Sequence, residues 1–394
     1  MDAIPTELVA EIFELACTDS GQTGRSLSLV STYFHDIVQP IQLQCIALSG
    51  LKQMQEFLKL LVCKPKKLRR VKHLYIADRP EDFPKRSSGE YPTHFGTELH
   101  SARNSQREYN SNIMHCIISI LKLTSTTLQT LSIFLRYHEQ LRHFHDFPGI
   151  IPTDLPSLVE LSIYANITKQ SFAESFVAPK VERMHIGNYT SLPDDVTGAI
   201  SRVAPRLTHL RISGVSAWVR NGNLLDVVRD VAVSSTLTST STSPSSSSSS
   251  SSLSTSTSTS TSAASMYPTL QETFPSLSLP PQPSFPPTLR KIIIGQRVSY
   301  VTGTRGNPAY HSHTVGALER SGMMCKNGRL VVLQIPPFMD APGYWEAARE
   351  GREEESRREW EERVGGGVGG WDPAREWVCV VPDVWGGVWF GDRR

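Results

Sequence analysis

The sequence predicts an α/β fold in which a helical module at the N-terminus precedes strand units that form a parallel sheet. Apolar residues at helical spacing occupy the first forty-odd positions. One short aliphatic pattern recurs along most of the remaining chain, and a Ser/Thr-rich segment interrupts it. Because repeats of one pattern place equivalent strands side by side, we expect a single sheet built from successive units.

The N-terminal module begins with an amphipathic helix. Ile4 is restricted to an extended conformation by the following proline, and Pro5 fits the first turn, where a backbone N–H is not needed. An apolar stripe follows the spacing of one helix face and comprises Pro5, Leu8, Val9, Ile12, Phe13 and Ala16. After a polar loop, a second stripe comprises Leu27, Val30, Phe34 and Ile37. A module this small cannot bury so many apolar residues alone, which indicates an interface.

The order and spacing of these residues resemble the F-box, especially in its fungal form. The matching residues are Ile4, Pro5, Glu7, Leu8, Ile12, Phe13, Leu27, Leu29, Val30, Ser31, Phe34 and His35. Many F-boxes carry Trp where this chain has Phe34, which still supplies an aromatic side chain. The resemblance implies a three-helix F-box over residues 1–48 that binds a Skp-type adaptor and, through it, a cullin-based ubiquitin ligase.

Eight residues are the predicted adaptor-binding set. Those expected to contact the adaptor directly are Pro5, Leu8, Ile12, Leu29 and Val30. Those expected to be shared between the module's own core and the interface are Phe13, Leu27 and Phe34. The alternative is that these helices cap the repeat array and bind no partner.

The recurring pattern is an aliphatic residue, two variable residues, an aliphatic, one variable and an aliphatic. Its copies are Val71-Leu74-Ile76, Leu128-Leu131-Ile133, Leu158-Leu161-Ile163, Val181-Met184-Ile186, Leu207-Leu210-Ile212, Leu289-Ile292-Ile294 and Leu330-Leu333-Ile335. The last two aliphatic positions are two apart and therefore share one face of a strand. The copies that begin at residues 128, 158, 181 and 207 lie 23 to 30 residues apart.

This pattern resembles the leucine-rich repeat in a degenerate form. Only the copy at Leu158 also carries the Asn of that repeat, as Asn166. The resemblance implies an irregular solenoid over residues 49–233 and 288–340, with a parallel sheet on its concave face. An ordinary α/β domain with aliphatic strands is the alternative.

The variable strand positions are expected to face solvent and to bind a target protein. They are His73, Tyr75, Gln129, Ser132, Glu160, Ser162, Arg183, His185, His209, Arg211, Lys291 and Gln334. Within that set, the predicted target-binding residues are Tyr75, Glu160, Arg183, His185, His209 and Arg211.

Three further segments complete the domain prediction. Residues 78–110 are polar and are expected to form a surface insertion. Residues 234–287 are rich in Ser, Thr and Pro and are expected to be disordered, because they cannot bury enough apolar area. Residues 341–394 are expected to form a charged helix over 344–364 and a Trp-rich C-terminal segment. That segment would cap the last repeat or contact the target.

Composition narrows the possible functions. The net charge of +2 does not indicate nucleic acid as a partner, and no apolar run is long enough to span a membrane. Six scattered Cys residues favour the cytoplasm or nucleus. A loop-like group of His138, His143, His145 and Asp146 lacks regular metal-ligand spacing. We therefore predict no metal and no cofactor.

The sequence thus predicts a non-catalytic substrate-recognition subunit of a cullin-type ubiquitin ligase, since no catalytic motif occurs. Two alternatives remain. One is a repeat scaffold without a role in ubiquitin transfer. The other is an enzyme with an unfamiliar site, which a cleft holding strongly shifted titratable groups would favour.

Overall fold

A computed structural model describes residues 4–78, 97–135, 151, 153–165, 176–187, 196–216, 285–297, 330–335, 344–367 and 369–371. Most of the predicted Ser/Thr-rich segment lies outside these residues, as do Asn166, the group from His138 to Asp146 and residues 372–394. In the described part of the chain, no helix combines the length and apolar character needed to cross a membrane.

Three short helices form the N-terminal module. They are α1 (Thr6–Ala16), α2 (Gln22–Ser28) and α3 (Thr32–Val38). Ser31 caps α3, because its hydroxyl accepts a hydrogen bond of 3.1 Å from the Phe34 backbone N–H. The module has a small core of its own, made of Val9, Phe13, Cys17, Ile37, Val38 and Ile41. Phe34 packs edge-on against Phe13, with ring centroids 5.0 Å apart.

A parallel sheet of eight strands in chain order follows. The strands are β1 (Cys45–Ser49), β2 (His73–Ala77), β3 (Thr130–Phe134), β4 (Glu160–Tyr164), β5 (Arg183–Gly187), β6 (His209–Ser216), β7 (Lys291–Arg297) and β8 (Leu330–Ile335). The middle aliphatic residue of each predicted unit from β2 to β7 forms one cross-strand row, Leu74, Leu131, Leu161, Met184, Leu210 and Ile292. The predicted strands and their parallel arrangement are confirmed, but in β8 Leu330 pairs with Ile292 where Leu333 was expected.

Strand β1 was not predicted, although the sequence contains its signal. Leu43, Ile46 and Leu48 follow the same spacing as the seven identified copies, and Ile46 pairs with Leu74 in β2. This eighth copy was missed because it overlaps the end of the residues that resemble the F-box. Residues 45–48, at the end of the predicted F-box segment, therefore belong to the sheet.

Helices pack on the aliphatic side of the sheet and complete the main core. They are α4 (Leu51–Cys63), α5 (Thr97–Thr124) and α6 (Val196–Val203). Met54 and Leu61 of α4 and Ile117 of α5 are fully buried against the strands. This side of the sheet therefore carries the continuous apolar core that a stack of small units requires.

The structure corrects two predicted insertions. Residues 97–110 are the first half of α5 and not part of a surface loop. No Pro or Gly interrupts residues 97–124, and Asn110 is buried in the helix. At the other insertion, Phe285 packs against the main core and Pro286 accepts a hydrogen bond of 3.0 Å from Leu289. Residues 285–287 are therefore part of the turn that leads into β7.

A long helix, α7 (Tyr344–Val364), coincides with the predicted charged helix. A short 3-10 turn at Gly369–Trp371 follows it. Contrary to the cap prediction, the described contacts of this segment are with the variable side of the strands, where Trp360 packs on Tyr75 of β2. The Trp371 indole donates to Glu160 of β4, so α7 and the turn that follows it lie over that side of the strands.

Gly187 allows a close side-chain contact on β5. A Cβ atom at this position would overlap the ring of Tyr164 on the neighbouring strand. We predict that Gly187→Ala lowers the free energy of unfolding by about 1–3 kcal/mol, the usual cost of overpacking. Urea denaturation measures this loss. The same substitution should cost less in a Tyr164→Ala background, and an equal cost in both backgrounds would contradict the steric explanation.

Candidate functional site

The N-terminal module presents an uncovered apolar surface, defined here as Pro5, Leu8, Ile12, Leu29 and Val30. All five residues are exposed, and the exposed fractions of Leu29 and Val30 reach 86% and 62%. Ile4 and Leu15 add further exposed apolar area beside it. An apolar cluster of this kind marks a binding surface on a folded protein.

The geometry of α1 explains why this surface is exposed. The helix buries Val9 and Phe13 in the module core, whereas Leu8 and Ile12, half exposed at 50% and 56%, project from the adjacent side. The apolar stripe of α1 is therefore wider than the area that two short neighbouring helices cover.

A turn between α2 and α3 brings the second part of the surface into place. The Leu29 and Val30 backbone N–H groups bond to the carbonyls of Ser26 and Leu27, at 3.1 and 3.2 Å. This tight turn leaves both side chains outside the module core. The start of α1 lies against the start of α3, since the hydroxyls of Thr6 and Tyr33 are 3.3 Å apart. Residues from both ends of the module thus contribute to one region.

Phe13, Leu27 and Phe34, which were predicted to be shared between the module core and the interface, all belong to that core. Phe13 is buried at 7% exposure in the module core. Leu27 and Phe34 are partly buried and pack against the same core. Their backbone and ring contacts hold the exposed residues in position, so they contribute to the shape of the surface.

Polar contacts attach the module to the first strands of the sheet. The Gln44 amide donates to the Glu14 backbone carbonyl at 3.0 Å, and the Cys45 thiol donates to the Thr18 carbonyl at 3.2 Å. Lys72 forms an ion pair with Glu14. The apolar surface is therefore presented at a fixed position relative to the sheet.

The variable side of the sheet, called the strand face below, differs from its prediction. Tyr75, Ser132, Glu160, His185 and Arg211 were expected to face solvent and are all buried. His73, Ser162, Arg183, His209 and Lys291 are partly exposed and Gln129 is exposed, while the side chain of Gln334 lies outside the described part. The burial has one physical cause, because α7 and the following turn lie over these strands.

Glu160 is the main polar contact between the strand face and the C-terminal segment. Its carboxylate accepts bonds from the Arg363 guanidinium at 3.0 Å and the Trp371 indole at 3.1 Å. Arg183, a strand neighbour, adds a third donor at 3.3 Å. Charge-assisted bonds of this kind stabilise a buried carboxylate.

Two further contacts lie to either side of Glu160. Tyr75 packs at a tilt against Trp360, with ring centroids 5.6 Å apart, and its hydroxyl donates to the Glu353 carbonyl at 3.2 Å. Arg211, 1% exposed, pairs with Glu359 at 3.5 Å. Three of the predicted target-binding residues, Tyr75, Glu160 and Arg211, thus already contact another segment of the same chain.

Burial shifts the pKa of several groups on the strand face. It lowers the pKa of His185 well below its ordinary value, and the Arg211 charge acts in the same direction. Burial likewise lowers the pKa of His73 to about 4 and raises the pKa of Tyr164 to about 12. The Ser213 hydroxyl lies between the two rings, 2.8 Å from His185 and 3.0 Å from Tyr164.

These bonds hold buried polar groups together beneath α7. Ser213 is 2% exposed, so its contact with neutral His185 is enclosed and serves packing. Among the residues that the structure describes, no group of three His, Cys, Asp or Glu side chains has the geometry of a metal site.

The low pKa values of His73 and His185 predict a loss of stability in mild acid. Below pH 6.5 the unfolded chain binds protons at both imidazoles, whereas the folded chain keeps His73 neutral down to about pH 4. Stability therefore falls as the pH drops below 6.5, by up to about 1.4 kcal/mol per pH unit for each histidine. Urea denaturation at pH 7 and pH 5 measures the loss. His73→Gln removes one of these imidazoles, so the variant should lose less free energy of unfolding between pH 7 and pH 5 than the wild type. An unchanged pH dependence would contradict the lowered pKa assigned to His73.

Comparison of the chain with protein-family models, curated proteins and solved structures gave no match.

Proposed function

We propose that the chain is an F-box-type receptor subunit of a cullin-based ubiquitin ligase, which binds a Skp-type adaptor through its N-terminal apolar surface. The observation that carries the proposal is the exposure of Leu8, Ile12, Leu29 and Val30 in a module that has its own core. An apolar surface held by a folded support is suited to bind a preformed partner.

The sheet supplies the second part of the proposed receptor. A fixed attachment between the module and β1 would hold a bound target at a constant position relative to the adaptor. The chain would contribute proximity, and the recruited enzymes would carry out ubiquitin transfer. The proposal therefore requires no catalytic group in this chain.

Co-purification with a Skp-type adaptor tests this proposal. We expect Leu8→Glu with Ile12→Glu to abolish the complex, because two carboxylates would have to be buried in an apolar interface. Both side chains are at least half exposed, so the variant should keep the circular dichroism spectrum and melting temperature of the wild type.

A matched control uses exposed apolar residues on another helix. Leu60 and Val62 of α4 are 41% and 60% exposed, and Leu60→Glu with Val62→Glu introduces the same charges outside the proposed interface. This control should retain adaptor binding. Equal recovery of adaptor with both double variants would refute the assigned surface, and no recovery with the wild type would favour a repeat scaffold without a ubiquitin role.

A further inference from the structure

Helix α7 contacts the strand face through one side only. Ser356, Glu359, Trp360 and Arg363 lie at helical spacings of three and four residues and therefore share that side. Each of them lines the space between α7 and the strands. The opposite side carries charged residues such as Glu354 and Arg358, which are exposed.

The contact beneath α7 has the composition of a binding interface. On the aliphatic side of the sheet the core is continuous and consists mainly of Leu, Ile, Val and Met. Beneath α7 the indoles of Trp360 and Trp371 are buried among Tyr75, His185, Glu160 and Arg211. Tryptophan, tyrosine and arginine are the residues that concentrate binding energy at protein interfaces.

Three contacts between the strand face and α7 each require a particular kind of side chain. Glu160 accepts from the Arg363 guanidinium at 3.0 Å, Tyr75 packs on the Trp360 ring and Arg211 pairs with Glu359 at 3.5 Å. The three α7 residues form the pattern Glu-Trp-x-x-Arg on one helix side. A surface that matches this pattern distinguishes it from a merely apolar helix.

We propose that the strand face is a helix-binding surface that α7 occupies in the free protein, and that the target presents a helix with a Glu-Trp-x-x-Arg pattern in its place. This inference rests on the proposed receptor function, since it names the kind of target that the strand face accepts. The predicted target-binding residues then act only after α7 leaves, because α7 and the target contact the same groups.

Peptide binding in trans tests the proposal on the full chain. The probe is a fluorescent synthetic peptide of residues 344–371, and the protein is either wild type or the variant Trp360→Ala with Arg363→Glu, which weakens the intramolecular helix. We expect the variant to bind the peptide at least about 10-fold more tightly than the wild type, because its own α7 competes less. A peptide with the same two substitutions should not bind.

Peptide binding by neither protein, or equal binding by both, would overturn the proposal.

A second measurement, hydrogen–deuterium exchange, needs no variant. In wild-type protein, the α7 amides should exchange with deuterium at least about 100-fold faster than the central amides of β2–β6, since α7 opens without unfolding the sheet. Equal exchange rates for the α7 amides and the central amides of β2–β6 would also overturn the proposal.

Adaptor binding separates this inference from the proposed function. The α7 variant should still bind the Skp-type adaptor, because the described contacts of Trp360 and Arg363 are with the strands. Adaptor binding without peptide binding would refute only the helix-binding surface. Peptide binding without adaptor binding would refute only the receptor function.

Discussion

Leu29→Glu with Val30→Glu is expected to weaken adaptor binding at least about 100-fold. The two side chains are 86% and 62% exposed in the free protein, so they are free to become buried in a complex. Burial of each aliphatic side chain contributes about 1.5–3 kcal/mol, and an unpaired carboxylate in its place adds a desolvation cost. Isothermal titration with a purified Skp-type adaptor measures the change.

This pair also tests whether the N-terminal apolar surface acts as one unit. Leu29 and Val30 follow α2, whereas Leu8 and Ile12 lie on α1. If both pairs contact the adaptor, each double variant should reduce affinity without lowering the melting temperature. An unchanged affinity for the adaptor after Leu29→Glu with Val30→Glu would show that the turn after α2 is not part of the interface.

Leu161→Ala is expected to produce the largest loss of stability from a single truncation. Leu161 is fully buried and lies between Leu131 and Met184 in the aliphatic row that crosses the sheet. The truncation leaves a cavity between strands that pack on both sides, which costs about 2–5 kcal/mol. Urea denaturation followed by circular dichroism measures the loss.

Leu60→Ala is the matched control, because it makes the same chemical change at a position that is 41% exposed. Its cost should be within about 1 kcal/mol, since surface substitutions have small effects. Similar losses for Leu60→Ala and Leu161→Ala would contradict the assignment of the aliphatic row as the centre of the core.

Short-range patterns predicted much of this fold. The aliphatic triplets, such as Leu158-Leu161-Ile163, identified seven strands because a two-residue period fixes one face of a strand. The same argument would have identified β1 from Leu43, Ile46 and Leu48 if the triplet had been read independently of the preceding helices. The first half of α5 was not predicted because its sequence is polar. Tertiary packing nevertheless buries Asn110 within it.

Sequence patterns of this kind could not predict that the strand face is buried. Periodicity predicts which side of a strand is apolar, but it does not identify what covers the other side. The cover comes from far along the chain, as in the bond from Tyr75 to Glu353, which are 278 positions apart. The exposure of Leu8, Ile12, Leu29 and Val30 could be expected from the sequence, since the excess of apolar residues over what three helices can bury is a local property.

Hydrogen–deuterium exchange of the full chain, with and without a saturating Skp-type adaptor, tests the central claim most directly. We predict that the adaptor slows exchange in peptides covering residues 4–16 and 27–34 and leaves the strands β2–β6 unchanged. Unchanged exchange in both N-terminal peptides, or slowing confined to the strands, would contradict the assignment of the N-terminal apolar surface as the adaptor-binding site.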